Sequence, residues 1–174
     1  MLEDLESLAE RVDLSPLHRV LLTTDGSITR LLEAVELSPI AVEAVLQEVV
    51  KAPREVAELL GIREGEEVNH RVVNLRSCRG VLVRATSFAA LARLEPEFRR
   101  QVMMAEKPIG RIMAELQVES RREILGFSCF RADSELARVF GMKEGTLMLE
   151  RRYLILCRSL PLIYIVERFP HELF

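Results

Sequence analysis

Leu59-Leu60-Gly61-Ile62-Arg63-Glu64-Gly65 returns eighty residues later as Val139-Phe140-Gly141-Met142-Lys143-Glu144-Gly145. Extended without gaps, residues 43–71 align with 123–151 and share eight identities: Glu43, Ala52, Glu55, Ala57, Gly61, Glu64, Gly65 and Arg71, each with its counterpart. Average composition would give about two. Apolar positions agree as well, Val45 with Leu125 and Val56 with Leu136. Upstream, Ile28-Thr29-Arg30-Leu31-Leu32 resembles Ile109-Gly110-Arg111-Ile112-Met113 at an offset of 81. Each half therefore reads turn–helix–strand–helix–hairpin, with repeat halves at about 27–90 and 108–170. Two such halves predict one sheet with a pseudo-twofold axis. A site between them would be flanked by two helix starts, near Ser27-Ile28-Thr29 and Pro108-Ile109-Gly110. Exposed N–H groups at such ends favour carboxylates, although both also fit ordinary capped helices.

Working outward, the spacing of Leu2, Leu5, Leu8 and Val12 predicts an amphipathic helix over 2–12. Ser15-Pro16 supplies N-cap and first-turn chemistry for a second helix, Pro16 to Leu22. A third runs from Ile28 to Val35. A strand follows at about 40–51, then a helix from Pro53 to Leu60 stopped by Gly61. Val68 to Arg76 and Val81 to Phe88 are β-branched runs around Ser77-Cys78-Arg79-Gly80 and read as a hairpin. Helices are expected at about 95–105 and 108–116, a strand at about 118–131, and a helix from Asp133 to Phe140. A last hairpin joins Leu147–Leu156 to Leu162–Phe169. Six strands grouped in hairpins with helices between them predict an α+β fold with a mainly antiparallel sheet. The 174 residues are expected to form one domain, with residues 1–20 as a helical extension.

Composition narrows the function. Hydrophobic residues make up 49% and charged residues 29% of the chain, the values of a globular protein rather than a disordered one. The net charge is −3, there is no Trp, and aromatics total 5%, so a nucleic-acid partner is not expected. No apolar run approaches the ~18 residues of a membrane span, and the acidic start Met1 to Glu6 is not a targeting peptide. A cytoplasmic protein is expected. Cys78, Cys129 and Cys157 lack redox or zinc spacing and read as reduced, mostly buried thiols. His18, His70 and His171 lie in unrelated segments, so no metal site is expected. No phosphate loop and no Ser/His or Cys/His nucleophile pattern stands out. An enzyme of this sequence would work without metal or nucleotide.

Three charges stand in apolar surroundings. In the last strand, Ile163, Ile165, Glu167 and Phe169 share one face by alternation. A carboxylate there needs a partner. It is either a ligand-binding group or half of a structural ion pair with an arginine. Arg71 lies next to Val72-Val73, and Arg84 between Val83 and Ala85. Each is either a solvated-face residue or a fork for a ligand carboxylate. Parity alone does not bring the three together.

Four runs carry a family resemblance. Leu22-Thr23-Thr24-Asp25-Gly26-Ser27-Ile28-Thr29-Arg30-Leu31-Leu32-Glu33 resembles the start of chorismate pyruvate-lyase and its archaeal and cyanobacterial relatives. Asn69-His70-Arg71-Val72-Val73, Lys107-Pro108-Ile109-Gly110-Arg111 and the stretch from Pro161-Leu162 to Glu167-Arg168-Phe169-Pro170 follow in order. The match covers residue 20 to the C-terminus. It implies a six-stranded antiparallel sheet with a buried site under helical flaps, a fold shared with effector domains of GntR-type repressors. It implies cofactor-free elimination of pyruvate from chorismate to give 4-hydroxybenzoate, with chorismate or a similar cyclohexadienyl or aromatic acid as the small-molecule partner and neither nucleic acid nor membrane. By resemblance, Arg71 grips the ring carboxylate and the Ile109 N–H, beside Gly110, assists it. Glu167 meets the ring hydroxyl, Arg84 faces the enolpyruvyl carboxylate, and Ile28 is an apolar flap residue. The chain departs from the bacterial enzymes in carrying Asn69-His70 before Arg71, and in its acidic N-terminal helix. The alternative is a non-catalytic module that binds aromatic carboxylates. Only about 20 residues, an acidic stretch, precede the shared region, too few for the winged DNA-binding domain of a repressor.

Overall fold

The computed structural model describes residues 1–104 and 107–174. Six strands, β1 (Ala41–Lys51), β2 (Glu67–Ser77), β3 (Gly80–Ala90), β4 (Arg121–Arg131), β5 (Leu147–Cys157) and β6 (Leu160–Pro170), form one antiparallel sheet in the order β1-β2-β3-β6-β5-β4. Each strand of the second half starts and ends 80 residues after its counterpart. The β-bulges repeat with the same offset, at Ala44/Leu46 and Ile124/Gly126, and at Leu75/Arg76 and Ile155/Leu156. The repeat read from sequence is therefore a repeat of hydrogen-bond register, and its pseudo-twofold axis lies between β3 and β6.

The helices are α1 (Leu2–Ala9), α2 (Pro16–Thr23), α3 (Ile28–Glu36), α4 (Arg54–Leu60), α5 (Pro96–Met104), α6 (Ile109–Glu115) and α7 (Ser134–Phe140). Gly61 and Gly141 end α4 and α7 with left-handed φ of 61° and 66°, which a Cβ would strain. The two helices cover one face of the sheet. Val56, Ala57 and Leu60 pack on Val68, Leu154, Tyr164 and Val166, and Leu136 packs on Met148. The opposite face carries two larger clusters. At one end Leu21, Leu22, Ile28 and Leu32 close over Val73, Val83, Leu149 and Phe169. At the other, Phe98, Val102, Ile112 and Met113 close over Tyr153, Ile155, Ile163 and Ile165. The candidate site, a cavity, sits between those two lids.

Several boundaries differ from the sequence reading. The first helix stops at Ala9 rather than 12, yet Val12 remains buried because its N–H still bonds Leu8 O. The fourth strand begins at Arg121 rather than 118: Gln117 turns left-handed and the Val118 N–H closes back on Met113 O, ending α6. The expected end of the fifth helix at 105 lies outside the described residues. The expectation of mostly buried thiols fails. Cys78 is exposed in the β2–β3 turn and Cys129 and Cys157 are half-buried; all three are free. No helix is long and apolar enough to cross a membrane among the described residues.

The N-terminal helices are tied to the chain's end by a buried histidine. Ser15 Oγ accepts the His18 N–H (3.1 Å), and His18 Nδ1 accepts the Ser15 N–H (3.1 Å). His18 Nε2 lies 3.0 Å from His171 O, donating when the ring is neutral. Burial, and then the neighbouring His171, lower its pKa from 6.5. The unfolded chain thus takes up this proton at a higher pH than the folded one. The stabilisation is present above pH 6.5 and is lost as pH falls through the lowered folded value. Melting temperature should therefore fall below pH 6.5 more steeply in the native chain than in His18→Gln. Identical pH profiles for the two would remove His18 as the cause.

Candidate functional site

Strand register decides which charges meet. Across the sheet, Gln47, Arg71, Ser87, Ile165, Tyr153 and Ile124 form one row. Val73, Ala85, Glu167 and Arg151 form the next row on the same face. Arg71 and Glu167 therefore share the face that carries the two lids, and both line a partly open cavity of about 60 Å³. Its floor is Arg71, Val73, Leu75, Ala85, Ser87, Tyr153, Ile155, Ile165 and Glu167; its roof is Ser27-Ile28-Thr29 and Pro108-Ile109-Gly110, with Arg122 at the side. Ordinary small-molecule sites run from roughly 300 Å³ upward. A ring-sized ligand therefore needs more room than the cavity has in this structure.

Of the residues singled out by sequence, Ile28, Arg71, Ile109, Gly110 and Glu167 come together here. Arg84 does not. It pairs in register with Asn74 and Arg168, on the other face, and its Nη2 donates to Glu135 Oε1 of α7 (2.9 Å). Alternation separates it from Arg71 because the β2–β3 register sets Arg71 opposite Ser87.

The structure shows the ion pair of one Glu167 reading and leaves its carboxylate at the cavity. It lines the cavity, and it is also an ion-pair partner: Arg151 Nε donates to Oε2 (2.5 Å) and Tyr153 Oη to Oε1 (3.0 Å). Arg151 is fully buried and Glu167 is 4% exposed. Burial, and then the adjacent Glu167, push the Tyr153 phenol up, so it stays a donor. A carboxylate has about four lone-pair sites, so Glu167 keeps acceptor capacity for a ligand hydroxyl.

Repeat-related arginines hold the two roof segments from below. Arg151 Nη1 donates to Leu21 O (2.8 Å) and Thr24 O (3.0 Å), carbonyls at the C-terminal end of α2, the end that favours a cation. Its counterpart Arg71 donates from Nη2 to Lys107 O (2.8 Å), just before α6. Arg71 is 1% exposed. Burial pulls its pKa down to about 10, which leaves it charged at neutral pH. The segments meet at Gly110, where a methyl group would lie 3.4 Å from Ser27 Oγ and 3.4 Å from Arg122 Nη2. Neither Ser27 nor Pro108 caps its helix with a side chain.

Sequence reading missed Arg122, Arg151, Tyr153 and Ser87. The repeat held a signal for two of them, since it maps Arg71 onto Arg151 and Ser87 onto Glu167. Nothing in the sequence reading singled out Arg122. Its place in the site follows from pairing with Ile155, two residues from the Tyr153–Ile124 pair. Among the described residues, no cluster of His, Cys, Asp or Glu has the makings of a metal site.

Comparison with known proteins follows this geometry. Residues 22–174 match the family model described as chorismate pyruvate-lyase Rv2949c-like. A chorismate pyruvate-lyase of Mycobacterium leprae is 26% identical over 162 residues, covering 90% of this chain and 75% of its own. A Methanocaldococcus jannaschii protein named as a lyase is 28% identical over 157 residues, covering 87% and 77%. Among solved structures, PhnF from Mycobacterium smegmatis superposes with a TM-score of 0.71 at 14% identity, covering 86% of this chain and 66% of that one. The C-terminal domain of PhnF gives 0.63 at 23% identity, covering 75% and 82%. These structures establish the fold alone.

Proposed function

Since the chain belongs to the Rv2949c-like chorismate pyruvate-lyase family, we propose that it eliminates pyruvate from chorismate to give 4-hydroxybenzoate, without metal or organic cofactor. The observation that carries this reading is the pairing of Arg71 with Glu167 on one buried floor. They stand two strands and two residues apart, which at about 4.8 Å per strand and 3.4 Å per residue separates their Cα atoms by about 12 Å. That Cα separation suits one six-membered ring with a carboxylate at one end and a para oxygen at the other, once the cavity has widened to take it.

In this reading Arg71 holds the ring carboxylate by charge-assisted hydrogen bonds, with the Ile109 N–H beside it. Glu167 accepts the hydrogen bond of the 4-hydroxyl. Ile28, Ile155 and Ile165 keep the ring dry. The C3–O bond breaks, the C4–H bond supplies the electron pair that completes the aromatic ring, and the C4 proton passes to the methylene carbon of the departing enolpyruvate, which leaves as pyruvate. Aromatisation supplies the driving force. The protein contributes position, exclusion of water and fixed charge.

The test is incubation of the purified chain with chorismate, followed by chromatography. We expect equal amounts of 4-hydroxybenzoate and pyruvate, with a rate unchanged by chelators. Chorismate left intact by folded protein that still binds 4-hydroxybenzoate would overturn the lyase reading in favour of a non-catalytic aromatic-carboxylate module.

A further inference from the structure

We propose that Arg122 is the specificity-determining residue of this site: it binds a second carboxylate, so that the cavity selects dicarboxylate ligands over monocarboxylates. This deepens the lyase reading and rests on it for the identity of the substrate, but not for the geometry. Arg122 projects from β4 into the side of the cavity, beneath the point where the two roof segments meet. Its Nη1 donates to Asp25 O (2.8 Å), and its Nη2 lies where a side chain on Gly110 would touch it. Its guanidinium carbon stands 6.0 Å from the centre of the Tyr153 ring. Its Nε is buried and makes no hydrogen bond among the described residues. No carboxylate pairs with it among the described residues either, although most other arginines near this sheet have one.

Desolvated guanidinium N–H groups without an acceptor are costly. A half-buried guanidinium that lines the side of the slot and keeps an unsatisfied Nε is satisfied when an anion arrives there. Arg71 occupies the β2 side of the floor, Glu167 the β6 position, and Arg122 the β4 side. A ring held between Arg71 and Glu167 would therefore present to Arg122 a substituent next to its para oxygen. In chorismate that substituent is the enolpyruvyl ether, which ends in a carboxylate. Once the ether has left, the remaining aromatic acid has nothing for Arg122 to hold. Substrate is thus gripped at both ends and product at one.

The experiment compares native protein with Arg122→Gln by calorimetry, using 4-hydroxybenzoate and 3-(carboxymethoxy)-4-hydroxybenzoate, a stable ligand with a second carboxylate on the neighbouring oxygen. Turnover of chorismate is measured on the same preparations. The native chain should prefer the dicarboxylate by about 10- to 100-fold, the worth of one charge-assisted contact. Arg122→Gln should erase that preference, leave 4-hydroxybenzoate affinity within about twofold, and raise KM for chorismate far more than it lowers kcat. A parallel loss of affinity for both ligands would assign Arg122 to holding the Asp25 loop and overturn the proposal. So would a variant that keeps the preference. A native chain that leaves chorismate intact yet shows the Arg122-dependent preference would sink the lyase reading and leave this one standing. A native chain that binds neither ligand would end both.

Discussion

Glu167→Gln is expected to lower folding stability by about 3–5 kcal/mol, because it leaves a fully buried arginine without its counter-charge, and to abolish turnover in the same protein. The carboxylate accepts from two donors at once, Arg151 Nε on one oxygen and Tyr153 Oη on the other. An amide offers one oxygen and one NH2, so one of those donors must face another donor. Arg151 keeps its bonds to Leu21 O and Thr24 O, which limits the damage to the pair itself. Stability and function are separable with a second change. Arg151→Met in the Glu167→Gln background removes the orphaned charge and should recover much of the lost stability, while turnover stays absent because the acceptor for the ligand hydroxyl is gone. Melting curves and a turnover assay on native, single and double variants decide it. A single variant as stable as the native chain would deny the ion pair its structural weight. Native turnover in a destabilised variant would deny Glu167 its place in the reaction.

What the sequence exposed and what it hid follow from two different kinds of information. The eighty-residue repeat was legible because both halves must place Gly at the same helix ends and turns, and the structure repeats even the bulges at that offset. Glu167 was legible because a charge among Ile163, Ile165 and Phe169 breaks a simple alternation. Arg84 was misplaced and Arg122 missed for a common reason. Which face an arginine takes is set by cross-strand register, and register depends on hairpin turns and bulges, where one extra residue reverses every side chain beyond it. The bulge between Ile124 and Gly126 lies beside Arg122. The bulge between Leu75 and Arg76 lies beside the turn that sets Arg71 opposite Ser87. Arg151 was hidden differently. It was present in the repeat as the counterpart of Arg71, yet its partner lies on the other arm of its own hairpin, where Arg71's strand mate is Ser87, and only the β5–β6 register names Glu167.

The divergence of those two counterparts leads to the other large expected effect. Arg151 spends its guanidinium on Glu167 and the end of α2, so it serves the fold. Arg71 lines the cavity, so its replacement should be felt by the ligand. Arg71→Ala should weaken 4-hydroxybenzoate binding by about 2–5 kcal/mol, the usual cost of leaving a buried carboxylate without its cation. The guanidinium also donates to Lys107 O, so part of any loss could come from a displaced roof segment rather than from the missing charge. A neutral probe separates the two. 4-Hydroxybenzamide matches the acid in shape and carries no charge, and a displaced roof would weaken it as much as the acid. Loss of the carboxylate anchor should instead leave the amide's affinity within about twofold of native while the acid's collapses. Burial lowers the Arg71 pKa only to about 10, so the acid's advantage over the amide should hold steady from pH 6 to pH 8 in the native chain and be absent throughout that range in the variant. Native affinity for the acid in Arg71→Ala, or equal losses for acid and amide, would show that Arg71 supports the roof and does not hold the ligand.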